Sequence, residues 1–384
     1  MSGRTAVVVG GIGKLPYAGM TFHYLHYVLG LTELGYDVHY VERQNRSLET
    51  YDPDRDEMTD RPDTALRHID AVMRRFGQAG RWSFIDRSGA AHGTGWGELR
   101  RTLAAADFVL TVADPTWFDE LELCERRLFV DGDPMFTQVA LSEGRGTRSV
   151  APDHYDTLFT FASRIGEPDC LVPACGRRWI PTRPVVATAH WERTAAPPQA
   201  PVVALMHWAA GKDLTCDGRA FGHKDRQFDA IIGLPGARPG GYDLAAGGAG
   251  VPRERLGEHG WRLVSPLAVS GTIDGFTRFI AGSRADLGVA KHAYVASRSG
   301  WFSDRSTCFL AAGRPVLHED TGYTDWLQED AGVLAFADLD SLVDALDRLD
   351  RDYERHADAA RAIAESRFEA RIVLAEMLDA AAAR

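Results

Sequence analysis

Three prolines in five positions, Pro197-Pro198-Gln199-Ala200-Pro201, close a segment (191–201) that interrupts an alternation of apolar strands and helical stripes. Proline fixes its own backbone and removes an amide donor, so no strand or helix of a packed sheet runs through such a stretch. Each flanking half opens on a short apolar run, Thr5-Ala6-Val7-Val8-Val9 before it and Val202-Val203-Ala204-Leu205-Met206 after it. Unbroken apolar runs of this length suit strands buried on both faces of a parallel sheet. A chain of 384 residues has room for two or three such units.

The expected fold class is therefore α/β, with two Rossmann-like domains facing each other across a cleft. The expected division is 1–190, a linker at 191–201, a second domain at 202–365, and a C-terminal helix at 366–384 that can pack back on the first domain. In the first half, Gly10-Gly11-Ile12-Gly13 breaks the opening strand. Phe22, Leu25, Val28, Leu29 and Leu31 then give a helix from about Gly19 to Leu34, and Gly35 ends it. Residues 43–63 read as a surface loop. Strands are expected near 107–112, 127–130 and 158–161 in the first half and at 202–206, 228–232, 261–264, 287–289 and 315–317 in the second. Several end beside polar residues, among them Asp114, Asp131, Asp133 and Ser163. Open parallel sheets hold their ligands at those carboxyl ends.

Composition narrows the partners. Lys and Arg number 43 against 54 Asp and Glu, a formal charge of −11. An acidic surface repels phosphate backbones, so the charge predicts no nucleic-acid partner and leaves a small phosphorylated ligand in a local basic pocket. No stretch approaches the ~18 apolar residues of a membrane span. The five cysteines are scattered, and the spacing of Cys170 and Cys175 fits neither a zinc ribbon nor a redox pair. Reduced thiols in a cytoplasmic monomer or homodimer are expected.

The segment from Arg298 to Val316 carries most of the chemistry. Ser303 or Asp304 would cap a helix running to Ala312, and free amides at its start would attract an anion. Ser303 and Ser306 add hydroxyls and Arg305 a two-pronged cation. This segment, its continuation His318-Glu319-Asp320-Thr321-Gly322-Tyr323, the Gly-rich first loop and the proline-rich linker together resemble GT-B glycosyltransferases. That resemblance implies a nucleotide-sugar donor in the cleft and a small soluble acceptor, with no cofactor and no metal. It places the donor diphosphate on Ser303, Asp304, Arg305 and Ser306, with Lys212 or Lys224 as a further cation. It sets Glu319, Asp320, Thr321 and Gly322 against the sugar. Many retaining members carry two glutamates ahead of the Ala-x-Gly-x-Pro-Val block, but here those positions hold Gly300 and Cys308.

In the first half, Gly11, Gly13 and Gly19 would lie under the cleft. Pro16 stands where a dinucleotide fingerprint needs its third glycine. A carboxylate or a histidine of the first half, Asp133, His23 or Asp131, is expected to take the acceptor proton. Asp131-Gly132-Asp133 also has the form of a metal-binding D-x-D. Two competing readings are a nicotinamide-dependent oxidoreductase, suggested by Glu42 after the second strand, and a nucleotide-sugar-binding protein without catalysis.

Overall fold

A computed structural model describes residues 3–45, 47–113, 117–143, 152–209, 213–328 and 330–383. The first half builds one sheet from β1 (Thr5–Val9), β2 (Asp37–Arg43) and six further strands, while β3 (Thr50–Asp52) and β4 (Glu57–Thr59) form a separate hairpin. The six are β5 (Trp82–Ile85), β6 (Ala91–Gly93), β7 (Phe108–Val112), β8 (Arg127–Asp131), β9 (Thr157–Thr160) and β10 (Trp179–Pro181). Their order is β10-β9-β8-β7-β1-β2-β5-β6, parallel except at β5–β6. Every residue of β7 is buried, as the unbroken apolar run requires.

After the linker, β11 (Val202–His207) begins a second sheet; β12 (Leu214–Cys216) and β13 (Arg219–Phe221) make a small hairpin beside it. The sheet continues with β14 (Tyr242–Gly247), β15 (Arg262–Leu263), β16 (Ala285–Gly288), β17 (Val316–Glu319) and β18 (Val333–Phe336), in the parallel order β15-β14-β11-β16-β17-β18. In each sheet the chain runs outward in both directions from the first strand, β1 or β11. A crevice opens at that reversal, above the carboxyl ends of the strands.

Two expectations of secondary structure fail. Residues 228–232 belong to the helix Lys224–Ile231 and its C-cap rather than to a strand. Phe228, Ile231 and Ile232 are buried while Asp229 and Ala230 are exposed, which is a helical stripe too short to separate from a strand by pattern alone. The 43–63 segment contains the β3–β4 hairpin.

The halves touch extensively. Phe22 of the first half packs against Trp191 of the linker (centroids 4.7 Å apart) and Phe276 of the second half (6.0 Å). The last helix, Ala370–Ala382, lies on the helix Ala18–Glu33, where a Cβ at Gly30 would come within 2.6 Å of that of Ala370. The linker is pinned by Arg314, 1 % exposed, whose guanidinium donates to the Thr194 carbonyl at 2.6 Å and the Ala281 carbonyl at 2.6 Å. A buried charge spread over carbonyl dipoles in this way fixes the path between the two sheets.

Candidate active site in the cleft between the sheets

The Gly-rich loop after β1 turns its donors inward. The Ile12 amide donates to the Tyr40 hydroxyl at 2.7 Å, and the Gly13 amide to a Glu42 oxygen at 2.8 Å. Tyr40 in turn donates to Glu42 at 2.7 Å. Burial pushes the Glu42 carboxyl up to about 7, with the Gly13 and Tyr40 bonds acting against it. A Cβ at Gly13 would meet Ala65 at 2.8 Å, so the glycine admits a neighbouring helix rather than a ligand. Gly11 lies against Tyr24, and Gly19 sits in the first turn of the helix Ala18–Glu33 with open space beside it. Loop amides already spent on Tyr40 and Glu42 give a dinucleotide pyrophosphate nothing to bind, which removes the physical basis of the oxidoreductase reading.

At the helix Asp304–Ala311 the cap falls as the sequence requires, with Ser303 Oγ accepting from the Ser306 amide at 3.3 Å. The remaining polar groups are engaged internally. Ser306 Oγ donates to Asp286 at 2.6 Å, and Asp286 is fully buried. Arg305 donates to the Leu205 carbonyl and lies 3.4 Å from Asp286. The Asp304 carboxylate accepts from the Arg305 amide and from His23. The expected phosphate cradle at Ser303, Asp304, Arg305 and Ser306 is thus corrected: a carboxylate of the chain itself occupies the helix start, and its charge repels a second anion there.

Asp304 instead reaches across the cleft. His23, on the first-half helix, pairs with it at 2.7 Å through Nδ1. Burial alone would raise the Asp304 carboxyl, but His23 and Arg305 hold it down to about 2. The opposite ring edge of His23 faces Gly132, where a Cβ would stand 3.5 Å from Cε1 and 3.9 Å from Nε2. With Nδ1–H donating to Asp304, Nε2 is the unprotonated ring nitrogen, on the side of the ring near the loop after β8.

That loop carries the two aspartates, and they differ. Asp131 is 1 % exposed and accepts from Thr137, Gln138 and Thr160, each at 2.7 Å. Its lone pairs shape the loop, which leaves none for the base role expected of it or for a D-x-D metal. Asp133 is half exposed and meets the other half: Lys291 Nζ donates to its two oxygens at 2.7 and 2.8 Å, and the Tyr294 hydroxyl donates as well. Neither Lys291 nor Tyr294 stood out in the sequence. The signal was there, since Lys291 lies just past a strand end of a parallel sheet.

Lys224 begins the helix Lys224–Ile231 beside these groups. Burial lowers its ammonium to about 7, and Arg305 and Lys291 press the same way, with Asp286 and Asp304 opposing. Lys212 lies outside the described residues, as does Asp114. Glu319, 3 % exposed, accepts from the Ala290 amide at 3.0 Å and from Gln227, and burial raises it to about 7. Asp320 accepts from the Gly322 amide at 2.8 Å, Thr321 donates to the Trp301 carbonyl at 2.5 Å, and Gly322 has φ +92° against Arg164. Glu319 and Thr321 are thus bonded to neighbouring segments and Asp320 within its own turn, so these groups are engaged by the chain rather than set out in a row for a sugar.

The missing glutamates also have a structural reason. Gly300 has φ +77°, and a Cβ there would fall 2.0 Å from Ser163 Oγ across the cleft. Cys308 is buried within its helix at 2 % exposure.

Two facing doubly wound sheets define the GT-B fold. Solved structures of that fold match nearly the whole chain. An alpha-glucosyltransferase in complex with UDP and a mismatched 13-mer DNA is 10 % identical, with 99 % of this chain and 100 % of that one covered at a TM-score of 0.61. HepE of Anabaena in complex with UDP is 11 % identical over 98 % and 100 % at 0.55. Sucrose-phosphate synthase from Thermosynechococcus elongatus is 11 % identical over 98 % of each chain at 0.54. Residues 244–379 match the family described as Glycosyl transferase-like. Domain and fold together bear out the expected class of enzyme, a glycosyltransferase. No curated sequence matches the chain.

One expectation is overturned. Net charge led to the exclusion of nucleic acid, yet proteins of this fold that match the chain are bound to DNA. A formal charge summed over 384 residues does not describe one cleft. No described helix is long and apolar enough to cross a membrane.

Proposed function

We propose that the chain transfers a sugar from a nucleoside-diphosphate donor to an acceptor hydroxyl, with His23 as general base and Asp304 as the residue that orients it. The observation that carries this reading is the 2.7 Å His23–Asp304 contact between the two halves. The acceptor oxygen bonds to the anomeric carbon, the bond from that carbon to the diphosphate oxygen breaks, and the acceptor proton passes to Nε2. Asp304 fixes the tautomer that leaves Nε2 unprotonated, the part played by the aspartate of a catalytic triad. Charge leaving on the diphosphate is met by Lys224, so in this reading the reaction proceeds without a metal. Chelation by EDTA is therefore expected to leave turnover intact. A rate restored only by manganese would sink that part of the reading.

The decisive measurement is donor turnover over a panel of nucleotide sugars and acceptors. His23→Ala is expected to lower kcat about a hundredfold, within the usual range for a general base, at unchanged donor affinity. Asp304→Asn should follow it more weakly. Full activity in His23→Ala would remove the base from the mechanism. The small soluble acceptor suggested by the sequence and a DNA hydroxyl are separated by including DNA in the panel. Binding without turnover throughout would favour the non-catalytic reading.

A further inference from the structure

One of the cations at the cleft, Lys291, is held by a carboxylate from the opposite half. Lys291 sits on the loop after β16 and spans the cleft to Asp133, contacting both carboxylate oxygens at 2.7 and 2.8 Å. Its ammonium stands 4.3 Å over the Phe136 ring, and Phe136 follows Asp133 in the first half. The pair is not sealed: the Lys291 side chain is 21 % exposed and that of Asp133 48 %. Lys291 is near enough to Lys224 to press its ammonium towards neutrality, so the two cations share one end of the cleft. The alternative anchor, the start of the helix Asp304–Ala311, is filled by the Asp304 carboxylate.

We propose that Lys291 is an exchangeable donor-binding residue. Asp133 holds its ammonium in the absence of donor, and a nucleoside diphosphate takes it over, which frees Asp133 to face the acceptor. This rests on the donor reading above. Exchange is cheap in this direction because a half-exposed lysine–carboxylate pair contributes little, whereas a diphosphate brings more charge and more acceptor oxygens to the same ammonium. Asp133 is then an internal competitor of the diphosphate. Its ligand in the second half is surrendered only when the donor is in place, so donor binds before the carboxylate is open to acceptor.

The proposal makes the sign of an effect its test. Calorimetric titration with UDP, GDP, ADP and TDP, and with the parent nucleoside of the tightest, would be run on the full chain and its variants. Lys291→Met is expected to weaken the diphosphate on the order of tenfold and to leave the nucleoside unchanged. Lys291→Arg keeps the charge and should stay within about threefold. Asp133→Asn removes the competitor and should tighten the diphosphate by about fivefold, again without moving the nucleoside. Asp133 is half exposed, so this variant carries the test even if Lys291→Met fails to fold. Diphosphate affinity unchanged or weakened in Asp133→Asn would overturn the exchange while leaving the glycosyltransferase reading intact. Absence of diphosphate binding in the wild-type chain would overturn both.

Discussion

The two halves carry the same kind of crevice and use it in opposite ways. After β1, the donors of a Gly-rich loop are satisfied by Tyr40 and by the buried carboxylate of Glu42, so the loop is closed on itself. In the second half, Lys224 and Lys291 lie near one another, and Lys291 is paired with a half-exposed aspartate from the opposite side. A glycine-rich turn at the end of a strand is thus a ligand site only when the chain leaves its donors unspent. The helix start at Ser303–Ser306 belongs with the first case, because its own serine and aspartate take up the amides a phosphate would need.

The contrast breaks most directly at its cations. Lys224→Met should weaken donor binding about thirtyfold, whereas Lys14→Met, in the Gly-rich loop and paired with Glu49 at 2.9 Å, should leave it unchanged. Equal losses in the two variants, read by calorimetry, would erase the distinction. Ser306→Ala leaves the buried Asp286 short of a donor and should cost about 1–3 kcal/mol of stability by urea unfolding, with donor affinity unmoved. A large affinity loss there would return the phosphate to the helix start.

Two pH experiments sharpen the comparison further. Lys224 titrates near 7, and a diphosphate binds its ammonium form, so nucleotide-sugar affinity should fall several-fold as pH rises from 6 to 8.5. Lys224→Arg should flatten that slope, and a flat wild-type profile would exclude Lys224 from the contact. The smallest effect belongs to Glu42. Its folded carboxyl titrates near 7, above the unfolded value of about 4.3. The native state therefore binds more protons than the unfolded state between those pH values, and stability falls as pH rises through the window. Glu319 contributes a slope of the same sign, so Glu42→Gln should reduce the fall rather than abolish it, without altering nucleotide binding.

Much of the frame was legible in the sequence. Apolar runs marked β1, β7, β8 and β11, prolines marked the break before β11, and Ser303-Asp304 marked a helix start, because each of these is a local preference of neighbouring residues. His23 and Asp133 were legible as candidates from their places after strands or on the first helix. The partners that give them meaning were not. Asp304 is 281 residues from His23 and Lys291 is 158 from Asp133. No local pattern records which strand ends two sheets will bring face to face. The strand expected at 228–232 failed for a related reason, since so short a segment acquires its period only from what it packs against.

By itself, the sequence indicated two largely parallel α/β sheets on either side of a proline-rich segment, because strand burial and backbone restriction act over a few residues. Only the tertiary structure decided which polar groups are spent and which are on offer. That choice depends on whether a carboxylate from a distant segment arrives within hydrogen-bonding distance of an amide or an ammonium, as Glu42 does at Gly13 and Asp133 at Lys291. Electrostatic and hydrogen-bond energies fall off over a few ångströms, so they are settled by the folded arrangement and not by the order of residues along the chain.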